Sequence, residues 1–201
     1  MWRRVVSGCG RPAVRGPAAT QYRIARPCRT RSGPHLFPFL RSAPMTVFKA
    51  LESPSFRPAC ELCREAGGVL VFQSAQWRVI RAEDAAFPAF YRVVWRAHVA
   101  EWSDLSLAEQ AALMGAVGAV ERVLREALAP TKINLASLGN VVPHLHWHVI
   151  ARFDWDSRFP APVWAAPVRE VAPAPVARLR VGLDELDARV ARAVAALAPA
   201  A

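Results

Sequence analysis

The stretch Pro143-His144-Leu145-His146-Trp147-His148-Val149-Ile150 decides how this chain is read. Three of its five histidines fall there, two residues apart. Strand side chains alternate faces, so His144, His146 and His148 are expected on one side, and Leu145, Trp147 and Val149 on a buried core side. Same-face neighbours lie about 6.7 Å apart along a strand. That spacing lets one imidazole attack a phosphorus atom while the next contacts its oxygens. A polar strand face or a metal-ligand cluster are the plainer readings. Three histidines at period two in a histidine-poor chain weigh against chance.

The segments around it extend the pattern. Lys132-Ile133-Asn134-Leu135 reads as a preceding strand over 131–136, Leu138-Gly139-Asn140 as a polar turn, and 144–152 as the triad strand. Upstream, Val69–Phe72 and Trp77–Ile80 read as a hairpin after the Gly67-Gly68 turn, and Phe90–Trp95 as a further strand with Arg92 its single charge. Ser106 and Glu109 form a capping box that starts a helix. Leu113, Val117, Val120, Leu124 and Leu128 mark its core face, and Pro130 stops it. The expected fold is α+β: an antiparallel sheet of about five strands with one long helix packed on it. Beyond Trp164 the chain turns Ala/Pro-rich, and Leu183, Leu186, Val190, Val194 and Leu197 predict an amphipathic helix that packs on the domain or serves a subunit interface. Trp164 itself reads first as an anchor for its loop and second as a rim residue.

The net charge of +10 suggests a nucleic-acid or membrane binder, but the distribution argues against both. Residues 1–44 hold nine Arg and no Asp or Glu; the rest of the chain holds seventeen basic and sixteen acidic groups. The basic excess therefore belongs to a Pro-rich leader. A start codon placed too far upstream, with Met45 the true start, is favoured over a transit peptide or a disordered basic arm. The expected organisation is a leader over 1–44, a domain over 45–168, and a linker with a terminal helix over 169–201. No run of 18 apolar residues predicts a transmembrane helix. Neither specific nucleic-acid binding nor membrane association is expected, and the location is expected to be cytoplasmic. Cys60-Glu61-Leu62-Cys63 has a spacing more typical of metal or redox use than of a structural disulfide.

The triad resembles the signature of the histidine triad (HIT) superfamily of nucleotide hydrolases and transferases. That signature is His-φ-His-φ-His-φ-φ with φ apolar, and Leu145, Trp147, Val149 and Ile150 match every φ position. The resemblance covers residues 55 to about 168 and looks closest to bacterial dinucleoside polyphosphate hydrolase-like members. It implies that His146 is the nucleophile at the α-phosphorus, that the carbonyl of His144 orients it, and that His148 contacts phosphate oxygens. Imidazole suits the first role because its neutral form predominates above a pKa of about 6.5. Asn134 resembles a phosphate- or ribose-contacting residue, though a solvated strand position explains it too. Asn140 is a phosphate-site donor or a simple turn residue. Asp84 is a candidate grip on the ribose hydroxyls or a turn-forming aspartate.

Some bacterial members hold zinc through a Cys-x-x-Cys, a later histidine and the first triad histidine. By resemblance the ligands here are Cys60, Cys63, His98 and His144, a set that suits a closed tetrahedral structural site; the alternative for His98 is to cap the end of a strand. No organic cofactor is expected, and a homodimer is implied. Dinucleoside polyphosphates such as diadenosine tetraphosphate are the first substrate class. Nucleoside phosphoramidates are the near alternative, with nucleotidyl transfer or non-catalytic nucleotide binding further off. The uridylyltransferase branch typically replaces the last triad histidine with Gln, whereas this chain keeps His148, which favours hydrolysis.

Overall fold

The structure, a computed structural model, describes residues 55–198, so the leader lies outside the described residues. A single turn of helix, α1 (Glu61–Arg64), precedes the hairpin of β1 (Val69–Gln73) and β2 (Trp77–Arg81). Then come β3 (Phe90–Trp95), the long helix α2 (Leu107–Leu128), β4 (Lys132–Ser137), β5 (His146–Arg152) and α3 (Leu183–Ala195). The strands form one antiparallel-paired sheet in the order β1-β2-β3-β5-β4. Helix α2 carries the chain across one face and sets β4 parallel to β3 with a one-strand gap. β5 turns back from β4 and fills that gap, so the triad strand is flanked on both sides. The expected α+β sheet of five strands is thus present.

Period two divides the sheet cleanly. Trp77, Val79, Tyr91, Val93, Val149 and Ala151 face the helices and are buried with Leu113, Val117, Val120, Leu124 and Leu128 of α2. Ser106 caps α2 through the Glu109 backbone N–H, and the Glu109 carboxylate accepts from the Ser106 backbone in return. The helix closes at Ala129, a non-glycine residue at φ 45° just before Pro130. Proline disfavours the right-handed helical region in the residue before it, and here the helix ends on a left-handed cap despite the steric cost to Cβ.

The second helix face is that of α3. Leu186, Val190 and Val194 are fully buried in the same core. Asp187 joins them to the sheet. Its carboxylate accepts from Arg81 Nε at 3.0 Å and from the Tyr91 hydroxyl at 2.6 Å. Packing on the domain, the first expectation for this helix, is seen.

The opposite face carries Arg78, Ile80, Arg92, Val94, His146, His148 and Asn134, as the register requires: Arg78 pairs with Val94, Val94 with His146, Arg92 with His148, and Asn134 with Ile150. One correction applies here. The triad strand begins at His146, not His144. Leu145 bonds the segment around the end of β3, its N–H to Val99 O and its carbonyl to Trp95 N–H. His144 sits just before the ladder, where His144 N–H closes a tight turn onto Val142 O at 2.8 Å. Its ring is therefore free of the strand's alternation.

Candidate functional site

The turn over Leu138–Pro143 brings the chain back over the sheet. Gly139, at φ 114°, makes this possible, since side-chain-bearing residues rarely adopt that conformation. The turn, together with β3, β5, α1 and Trp164, encloses a cavity of ≈ 420 Å³. His146, His148, Arg92 and Asn140 line it.

His146 and His148 stand side by side, ring centroids 4.8 Å apart. Nδ1 of His146 lies 2.6 Å from the carbonyl oxygen of His144. A carbonyl oxygen only accepts, so Nδ1 carries the proton and Nε2 keeps its lone pair. Burial lowers the pKa of His146. The bond to His144 O opposes the shift, and the Arg92 and Arg78 charges reinforce it. His148 is pushed down to about 3, chiefly by burial, with His146 and Arg92 adding to the shift. Both rings are therefore neutral near pH 7. Neither ring nitrogen of His148 meets a partner among the described residues, although both are buried. A buried imidazole in that state is ready for a ligand oxygen.

The ring of His144 points elsewhere. Its Nε2–H donates to Trp95 O at 2.7 Å, which leaves the Nδ1 lone pair facing Cys60 Sγ at 3.4 Å and Cys63 Sγ at 3.6 Å. His98 Nδ1 lies 3.5 Å from Cys63 Sγ. The four ligand atoms fall within 4.8 Å of one another. Zinc bonded at about 2.0–2.3 Å in a tetrahedron sets neighbouring ligand atoms roughly 3.3–3.8 Å apart. These three Cys–His separations match that spacing, and the Trp95 carbonyl fixes the tautomer that the metal needs. The Cys-Cys-His-His cluster can thus hold a metal such as zinc. His144 belongs to both centres, by its ring to the thiols and by its carbonyl to His146.

The remaining candidates are dispersed. Asn140 lines the triad cavity. Asn134 shares the triad's face, but its side-chain oxygen accepts from Arg152 Nη1 at 2.8 Å, and it does not line that cavity. Asp84 accepts from the backbone N–H groups of Ala86 and Phe87, holding the β2–β3 turn. It also lines a neighbouring hollow of ≈ 560 Å³ with Glu61, Glu65, Glu83 and Arg92.

Sequence reasoning passed over three residues. Arg92 meets the triad only through cross-strand register. Arg152 and Asp156 form a buried ion pair, Nε to Oδ2 2.8 Å, that ties the end of β5 to the following loop. Burial alone would raise the pKa of Asp156, but hydrogen bonds from Arg152 and nearby backbone N–H groups keep it below the usual value. Arg152 Nη2 also donates to Ala161 O, so this pair positions the segment that carries Trp164. Trp164 corrects an expectation. It is 56% exposed and lies 5.5 Å from the His148 ring, as a rim residue does. Its neighbour Val163 takes the buried slot instead.

The HIT domain family model matches residues 64–155. No curated protein compared with the chain matches it. Among solved structures, a histidine triad protein from Bradyrhizobium japonicum is 30% identical, covering 65% of this chain and 90% of that one, with a TM-score of 0.49. A histidine triad (HIT) protein from Sinorhizobium meliloti is 28% identical over 62% of this chain and 88% of that one, with a TM-score of 0.50. A third, from Marinobacter aquaeolei, is 26% identical over 66% and 93%, with a TM-score of 0.52.

Proposed function

The chain belongs to the histidine triad family, and from that premise we propose that it is a nucleotide hydrolase working through a nucleotidyl-His146 intermediate. The carrying observation is the 2.6 Å contact from His146 Nδ1 to His144 O. It holds the ring in the tautomer whose Nε2 can attack. In the first step Nε2 forms a bond to the α-phosphorus while the bond to the leaving oxygen breaks, and the leaving group departs with that electron pair. In the second, water attacks the same phosphorus. The P–N bond breaks, its electron pair returns to Nε2, the proton of the attacking water passes to solvent, and the nucleoside monophosphate leaves. His148 and Asn140 are read as donors to the phosphate oxygens; each well-aligned donor contributes about 2–4 kcal/mol to the transition state.

Dinucleoside polyphosphates are the proposed substrate class, with Asp84 and Asn134 as the candidate nucleoside contacts. Residues 45–168 are read as the catalytic domain. The outer edge of β4 is unpaired among the described residues, and Leu135 on it is 40% exposed, which favours pairing with a second copy. Zinc is the proposed occupant of the Cys60, Cys63, His98 and His144 cluster; when bound it supplies structural closure, while the chemistry stays with His146.

The test is direct. Diadenosine tetraphosphate should yield adenosine monophosphate, and rapid quenching should trap an acid-labile, base-stable adduct on His146. His146→Ala should lose several orders of magnitude in turnover while nucleotide binding survives. Near-normal turnover in that variant, or an adduct on another residue, would overturn the mechanism.

A further inference from the structure

Three arginines stand on the triad face of the sheet, and two are engaged within the fold. Arg78 donates to the carbonyls of Leu62, Glu65 and Ala66 and so holds α1 in place. Arg152 donates to Asp156, Asn134 and Ala161 O. Arg92 differs from both. A guanidinium carries five N–H donors, and here one of them reaches Gly67 O at a long 3.4 Å. Its Nε is buried without an acceptor. Among the described residues Arg92 forms no ion pair. Burying one N–H of a charged group without an acceptor is costly, and the Phe90 ring centroid 5.2 Å from the guanidinium offsets that cost only in part.

Its location gives those donors a use. Arg92 pairs directly across from His148, and directly opposed residues on one face have Cβ atoms about 4.5–5.5 Å apart. Among the described residues it is the single Lys or Arg lining the triad cavity. It also lines the neighbouring hollow beside Asp84, so it stands where the two spaces meet. A cation across from His148, in the cavity that His146 also lines, lies in reach of the phosphate that follows the attacked one.

We propose that Arg92 is a substrate-binding residue that grips the phosphate adjoining the one His146 attacks, and so sets a preference for leaving groups that are themselves phosphates. This rests on the reading of the site as a nucleotide hydrolase. No bond to Arg92 is made or broken; its guanidinium holds the oxygens whose charge grows as the P–O bond opens. The amine that leaves a phosphoramidate carries no oxygen for it to hold.

The experiment compares full-length wild type with R92Q and R92K. Binding is measured by calorimetry with α,β-methylene-ADP and with adenosine. Turnover is measured with diadenosine tetraphosphate and with adenosine 5′-phosphoramidate. R92Q should weaken α,β-methylene-ADP about thirtyfold and leave adenosine unchanged, as expected for a lost charge-assisted contact. R92K, which keeps the charge but not the planar fork, should weaken it about fivefold, and it decides the matter if R92Q does not fold. Tetraphosphate turnover should fall well below phosphoramidate turnover. Unchanged binding of α,β-methylene-ADP, or an equal loss of adenosine binding as a merely structural role would give, overturns the proposal. A wild type that turns over neither substrate defeats the hydrolase reading, yet the binding comparison still decides the role of Arg92.

Discussion

His146 and His148 are next-but-one neighbours on β5, yet their surroundings divide their tasks. His146 has its proton fixed by a carbonyl, while His148 has neither nitrogen satisfied and a ring held neutral by burial. That burial has a consequence for stability. In the unfolded chain His148 takes up a proton as pH falls through about 6.5, whereas the folded ring stays neutral down to about 3. Over that window the unfolded state binds more protons, so stability falls as pH falls, by about 1.4 kcal/mol per pH unit from this ring alone. His148→Asn should flatten the decline, as read from urea midpoints at pH 7, 6 and 5; an unchanged slope would refute it. The triad was legible in the sequence because period-two histidines between apolar residues admit few structures. Arg92 was not, because a lone charge inside an apolar strand says nothing about what register sets beside it. Trp164 was misjudged for a related reason: sequence does not say which of two adjacent apolar residues takes the buried slot.

Among the elements, the β4–β5 hairpin does more than present the triad. The strands, the capped helix and the amphipathic α3 could be read from periodicity, but the insertion of β5 between β3 and β4 could not, because pairing partners are set by packing across long separations. The ring of His144 likewise escapes the alternation rule, since the chain enters the strand only at His146, two residues after it. This places the Cys-Cys-His-His cluster and the proposed nucleophile on opposite sides of one residue. Protein purified without added metal should carry close to one equivalent of zinc per chain by elemental analysis. Cys60→Ser should lose it and melt at lower temperature, because metal binding is coupled to folding. Metal-free protein with unchanged melting would exclude the site.

For the molecule as a whole, the Asp187 contacts join the last helix to β2 and β3. Arg81, Tyr91 and Asp187 are largely buried, and burial together with Asp187 pushes the Tyr91 hydroxyl well above its usual pKa. Asp187→Ala strands a guanidinium and a hydroxyl at once and should cost about 3 kcal/mol in chemical denaturation; a loss below about 0.5 kcal/mol, typical of a surface change, would show the contact to be incidental. The interval between these partners matters in another setting. Tyr91 and Asp187 are 96 residues apart in sequence. While a ribosome is still making the chain, β1 and β2 emerge early, with the patch that α3 will cover left bare. That apolar patch waits through the synthesis of α2, β4, β5 and the Pro-rich linker before its cover arrives. The nascent protein is therefore exposed to aggregation and to chaperones until nearly all of the domain has left the exit tunnel.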